Sequence, residues 1–155
     1  MENSTNLSAI KQSRSFQDLD CWKKCREVRR IIFNLTKKFP KDELFALTQN
    51  TRRAAYSTIQ NIAEGYGRFH YQENIQFCRQ SRGSLYELWD QMITANDNNY
   101  ISNEDLDEIV NLINEALRIL NGYINFLIRE QEKDSPGKRS KSFLSFLLIP
   151  FSIFH

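Results

Sequence analysis

Glycine and proline are scarce in this chain of 155 residues, with five and three copies. So few turn formers exclude a fold of many tight hairpins and favour long helices joined by few loops. Histidine is nearly missing too. His70 and His155 are the only two, and no Glu-x-x-His tetrapeptide occurs, which removes the ligand pattern of di-iron helical proteins. The three cysteines, Cys21, Cys25 and Cys78, are a low and odd number without secretory context, so reduced cytoplasmic thiols are expected rather than a disulfide framework. Cys21 and Cys25 share a helix face but have no second pair to complete a metal set, and they read as core residues. Nothing before residue 142 approaches the ~20 apolar residues of a membrane span. The opening "MENSTNLSAIKQSRSF" also lacks the apolar run of a signal peptide. No nucleophile, base and orienting group stand together, so the expectation is a protein that is not an enzyme and needs no cofactor or metal.

A 41% hydrophobic content at this length suits one sizeable core and one domain. The formal charge is only +2, but it is unevenly spread. Residues 1–82 carry 15 Lys or Arg against 8 Asp or Glu, whereas residues 83–132 carry 2 against 10. A basic region and an acidic one suit anion binding or association between copies.

Residues 1–15 read as a loose arm, 16–131 as a helical domain, and 132–155 as a basic linker with a short apolar tail. Cys21, Cys25, Val28, Ile32, Leu35 and Phe39 recur at spacings of three and four, one helix face that Pro40 closes. A second helix is predicted from Asp42, with Leu44, Leu47, Thr51, Ala54, Thr58 and Ile62 inward. The third, from Tyr71 to Ala95, buries Cys78, Ser81, Leu85, Leu88, Met92 and Ala95, and Gly83 inside it marks close packing. "SNEDLDEI" opens the fourth, with Ser102 as cap and Asp105 three residues on, followed by Leu106, Ile109, Ile113, Ala116, Leu120, Tyr123 and Leu127. The expected fold class is all-α, an up-down-up-down four-helix bundle. Between Ile109 and Ile128, 13 of 20 residues are hydrophobic. Val110, Leu117 and Ile124 form a second stripe there, which reads either as an oligomer interface or as the mark of a central helix.

"NIAEGYGR", Asn61 to Arg68, holds two of the glycines. A phosphate-binding fingerprint needs its glycines after a strand and before a helix, and here they follow a helix. Gly65 is therefore expected to end the second helix in the left-handed conformation. Glu64 and Arg68, four apart, suit a local ion pair.

The candidate binding residues are basic: Lys23, Lys24, Arg26, Arg29 and Arg30 on the first helix, Arg52 and Arg53 on the second, and Arg68 beyond it, with Tyr66, Phe69 and Tyr71 around it. Such faces can track phosphates and stack on bases, or they can be solvated faces paired with carboxylates of the same or a neighbouring subunit. The tail "FLSFLLIPFSIFH" is too short to span a membrane; it can graze a membrane surface, dock on a subunit, or be an extension without function. Membrane contact is the least supported of these.

"FQDLDCWKKCREV", "LTKKFPKDELFALTQNTRRAAYSTIQNIAEGYGR" and "GSLYELWDQM" resemble, in order and over about residues 16–130, the bacterial four-helix-bundle family named for genes in intervening sequences of 23S ribosomal RNA. The matching positions are Trp22, Phe39, Pro40, Glu43, Leu44, Arg52, Arg53, Ala54, Asn61, Ile62, Ala63, Glu64, Gly65, Arg68, Ser84, Leu85 and Glu87. Many members have a proline where this chain has Ile59, so any kink there should be weaker. The resemblance implies a ring-like homopentamer. A distant relative, the accessory protein of diversity-generating retroelements, binds nucleic acid and a reverse transcriptase, which makes RNA or DNA and such an enzyme candidate partners. The expectation is a non-enzymatic oligomeric protein binding RNA or another nucleic acid, against a protein-interaction scaffold or a membrane-proximal oligomer held by its tail.

Overall fold

The computed structural model describes residues 15–134, which form four α-helices and two short 3-10 turns with no strand among them. The helices are α1 (Asp20–Leu35), α2 (Leu47–Tyr66), α3 (Tyr71–Asp97) and α4 (Asn103–Asp134). Residues 1–14 of the expected arm and 135–155 of the expected linker and tail lie outside the described residues. Helix α4 continues three residues past the boundary drawn at 131. No helix among the described residues is long and apolar enough to cross a membrane.

Each helix packs on two others: α2 on α1 and α3, and α4 on α1 and α3. The apolar seams meet in one core that contains Cys25, Val28, Ile32, Leu85, Leu88, Met92, Ile113 and Leu120 with no exposed surface. Each of the larger aliphatic side chains so buried contributes about 1.5–3 kcal/mol. The α2 to α3 seam is polar as well as apolar. Ser57 and Ser84 hydroxyls meet at 2.8 Å, Asn61 Nδ2 donates to Ser57 Oγ and O at 3.0 Å, and Ser81 Oγ donates to the Thr58 carbonyl at 2.6 Å.

The caps follow local chemistry. Ser102 and Asp105 bond each other's backbone amides, Ser102 Oγ accepting at 3.1 Å and Asp105 Oδ2 at 3.2 Å, the reciprocal box expected of that stretch. Lys38 Nζ reaches Asp105 Oδ2 at 2.5 Å, and this hydrogen bond holds the Asp105 carboxyl below its ordinary range. Helix α3 ends at Asp97; two residues on, Asn99 has a φ of 59°, the left-handed conformation that asparagine tolerates, and the Tyr100 amide closes on the Ala95 carbonyl at 2.8 Å.

Four expectations need correction. First, helix α2 starts at Leu47, not near Asp42; Lys41–Phe45 is a 3-10 turn, and Leu44 is 47% exposed instead of inward. With three residues per turn instead of 3.6, the apolar spacing that fits an α-helix no longer faces one way. Second, Gly65 is not a left-handed stop. It lies buried inside α2, where an added Cβ would stand 2.8 Å from Asn74 Oδ1 and 2.9 Å from Phe77 Cβ. Third, Gly83 marks no close packing, since a Cβ there would meet nothing within 4 Å. Finally, Leu117 and Ile124 are 5% and 4% exposed within the single chain, so they belong to its own core and offer no free interface; Val110 is half-buried. Two packing partners, α1 and α3, account for the breadth of the apolar face of α4.

Candidate nucleic-acid interface

Lys23, Arg26 and Arg30, spaced three and four apart, are exposed on α1 and share one stripe. Lys23 pairs loosely with Asp20 at 3.5 Å, and Arg26 lies over the Trp22 ring at 5.7 Å. Arg30 makes no ion pair among the described residues. Lys24 differs from these neighbours. Half-buried, it bridges Glu27 at 2.9 Å and Glu115 of α4 at 3.1 Å, and those two hydrogen bonds raise its pKa. It is a strut between α1 and α4.

At the seam between α1 and α2, cations and rings alternate. Arg29 lies over Tyr56 at 6.0 Å, Tyr56 meets Phe33 edge-on at 5.1 Å, and Arg52 lies over Phe33 at 5.4 Å. The Arg52 Nε donates to Thr36 Oγ1 at 2.9 Å, which fixes its guanidinium against α1. Arg53, about 100° around the helix, points elsewhere and pairs with Glu87 of α3 at 2.6 Å in an exposed contact. Arg68 stands apart. It pairs with Glu64, as its spacing predicts, and lies over the Phe77 ring at 4.8 Å. At 1.5 Å per residue it is roughly 24 Å beyond Arg52 along the α2 direction, too far to share a small site.

Beside this seam lies an open cavity of about 610 Å³. Its walls include Leu44 and Phe45 from the 3-10 turn and Gln49, Arg52, Arg53 and Tyr56 from α2, with no carboxylate in the lining. Phe45 is 85% exposed and Tyr56 44%. The turn is held by Glu43, which accepts from the Leu47 amide and from the Tyr100 hydroxyl, both at 3.1 Å. Anchoring Glu43 inward leaves its two apolar successors outward.

A family model described as 23S rRNA-intervening sequence protein matches residues 17–122. The chain belongs to that family. No match was found among curated proteins. In this family member the matched segment holds the whole α1 to α2 seam, the cavity and the "NIAEGYGR" stretch. That stretch cradles no phosphate. The Gly67 amide bonds the Ala63 and Glu64 carbonyls and the Arg68 amide bonds Gly65, all within 3.2 Å, so helix ending consumes the donors a phosphate would need.

The structure therefore brings Arg29 of α1 and Arg52 of α2 together at the seam, leaves Arg26 and Arg30 exposed on α1, ties Arg53 to α3, sets Lys24 to structural work and leaves Arg68 apart. Of the aromatics expected to help, Tyr66 and Tyr71 pack against the core, and exposed Phe69 stacks edge-on with His70. Sequence reasoning missed Tyr56, Phe33 and Phe45. A signal for Tyr56 was present: Gln49, Arg53, Tyr56 and Gln60 recur at spacings 4, 3, 4, a polar helix face carrying one ring. Phe45 had none, because its exposure depends on a 3-10 turn pinned by Tyr100 more than fifty residues away.

Proposed function

We propose that this chain is a non-enzymatic, cytoplasmic nucleic-acid-binding protein, with RNA the foremost ligand, acting as a homo-oligomer. A pentamer is the assembly that the family resemblance implies. The observation that carries the reading is the α1 to α2 seam, where Arg29 and Arg52 lie over the rings of Tyr56 and Phe33, with Arg26 over Trp22 and Arg30 exposed on the same helix α1. Guanidinium groups held over rings are pre-oriented for phosphate and lose little freedom on binding it. The family's description supports an RNA-associated role. Repetition of one weak basic face around an oligomer gives avidity that a single copy lacks.

An up-down-up-down bundle is the architecture proposed. Across Arg53 to Glu87, Ser57 to Ser84 and Thr58 to Ser81, numbers rise on α2 as they fall on α3. Lys24 to Glu115 and Lys38 to Asp105 do the same for the α1 region and α4. For self-association one exposed apolar surface is on α3, where Tyr86 and Ile93 are exposed and Tyr86 stacks on Trp89. That same patch favours the second reading, a protein-interaction scaffold.

Fluorescence anisotropy with a short single-stranded RNA tests the binding. Reversing Arg26, Arg29 and Arg30 to Glu is expected to weaken binding across sequences alike, because arginine-to-phosphate pairs carry no base information. The slope of log affinity against log salt should flatten by about 0.7 for each phosphate that is no longer neutralised. Unchanged affinity in that variant removes the seam from the binding surface. No binding by the unmutated chain, even at low ionic strength, hands the function to the scaffold reading.

A further inference from the structure

We infer that the cavity between the Lys41–Phe45 turn and α2 is a base-stacking pocket that gives this protein a preference for single-stranded over duplex RNA. This deepens the RNA reading above and rests on it. Three observations point to the occupant. The cavity presents Phe45 and Tyr56, 85% and 44% exposed, from a turn and a helix that are both fixed by hydrogen bonds, so the rings are held in water by the fold. Its charge is of one sign, with Arg52 and Arg53 in the lining and no carboxylate, which suits an anionic ligand with flat apolar faces. At about 610 Å³ it falls within the ~300–1,000 Å³ of small-ligand pockets, and it is open, as a site for a base carried on a strand must be.

Continuity with the seam supplies the rest. Arg29 and Arg52 flank Tyr56 and Phe33, so a strand whose phosphates follow the arginines brings its bases alongside the exposed rings. Arg52 is tied to Thr36 and stays put. The Arg53 to Glu87 pair is exposed, and such a pair is readily exchanged for a phosphate. Bases in a duplex are already stacked on each other and cannot enter, whereas splayed single-stranded bases can.

The test uses the full chain, an RNA of about 12 nucleotides with a central 2-aminopurine, and the same RNA as a duplex. The unmutated protein is expected to bind the single strand more tightly than the duplex and to change the 2-aminopurine emission. F45A/Y56A should lose about 5- to 150-fold in single-strand affinity for each base unstacked, and lose the emission change, while the salt slope stays as it was. Phe45→Tyr should retain both. If the double variant unfolds, F45A alone carries the test, since so exposed a ring contributes little to the core. Unaltered affinity and emission in a folded variant overturn the pocket while the RNA reading stands. A drop in particle mass by light scattering assigns the cavity to a second copy and also overturns it. If the unmutated chain binds no RNA at low salt, both readings fall, and tight capture of an acidic peptide at the cavity makes the anion a protein.

Discussion

Cys25 has no exposed surface, and burial pushes its thiol up to about 12. Cys78 is likewise buried and raised to about 12, and Cys21 is raised well above the ordinary thiol value, again by burial first. Because only the thiolate reacts, and a raised pKa keeps the thiol protonated at neutral pH, none of the three should react rapidly with a thiol reagent at pH 8. All three should react once urea unfolds the chain. A fast equivalent from the native protein would reveal local opening of the α1 core. At the same scale, neighbouring cations have unlike roles. Arg52 and Arg53 are adjacent in the chain, yet one is tied to α1 and the other to α3. Lys24 is engaged by Glu115, ninety-one positions away, while Arg30, two turns on, has no carboxylate among the described residues.

Among elements, α2 and α3 share the most extensive contact, and Gly65 is where they come close. A methyl there collides with Asn74 and Phe77, including the Asn74 backbone oxygen at 3.1 Å. Gly65→Ala should therefore destabilise by about 1–3 kcal/mol, as overpacking does. Gly83, on the outer side of α3, has the opposite expectation. With nothing within 4 Å, Gly83→Ala removes the backbone-entropy cost of a helical glycine and should add up to about 1 kcal/mol. Urea denaturation at low protein concentration measures both. A stabilised Gly65→Ala would mean that the helices separate at that point, and a destabilised Gly83→Ala that another chain covers it. Both glycines are helical, Gly83 in the middle of α3 and Gly65 in the last turn of α2, and it is the neighbour that sets the opposite signs.

For the whole molecule, the question is which apolar surface is buried inside one copy. Leu117 and Ile124 are buried there, so replacing both with Glu should unfold the chain, because an unpaired charge cannot be accommodated in the core. Replacing exposed Tyr86 and Ile93 with Glu should keep the helical circular dichroism. If α3 joins one copy to the next, it should also reduce a particle several times 18.4 kDa toward that mass. Light scattering beside circular dichroism separates the cases. A folded L117E/I124E chain of reduced mass would restore the α4 stripe as the interface.

Much of this fold was legible in the chain itself. The seams of α1, α3 and α4, the Ser102 box and the core thiols follow from spacing and cap chemistry, which act over one or two turns, although α1 ends at Leu35 and not at Pro40, and Phe39 joins the core from beyond it. The candidate site was legible only as a set of arginines. Which of them are free, which are struts, and which rings accompany them depends on partners far away in sequence: Glu115 for Lys24, Thr36 for Arg52, Tyr100 for the turn that points Phe45 outward. Periodicity records that a side chain prefers to leave water. Whether it does so within one copy, against another or not at all is decided by how many surfaces the packed helices bring to it, and that is a property of the tertiary structure alone.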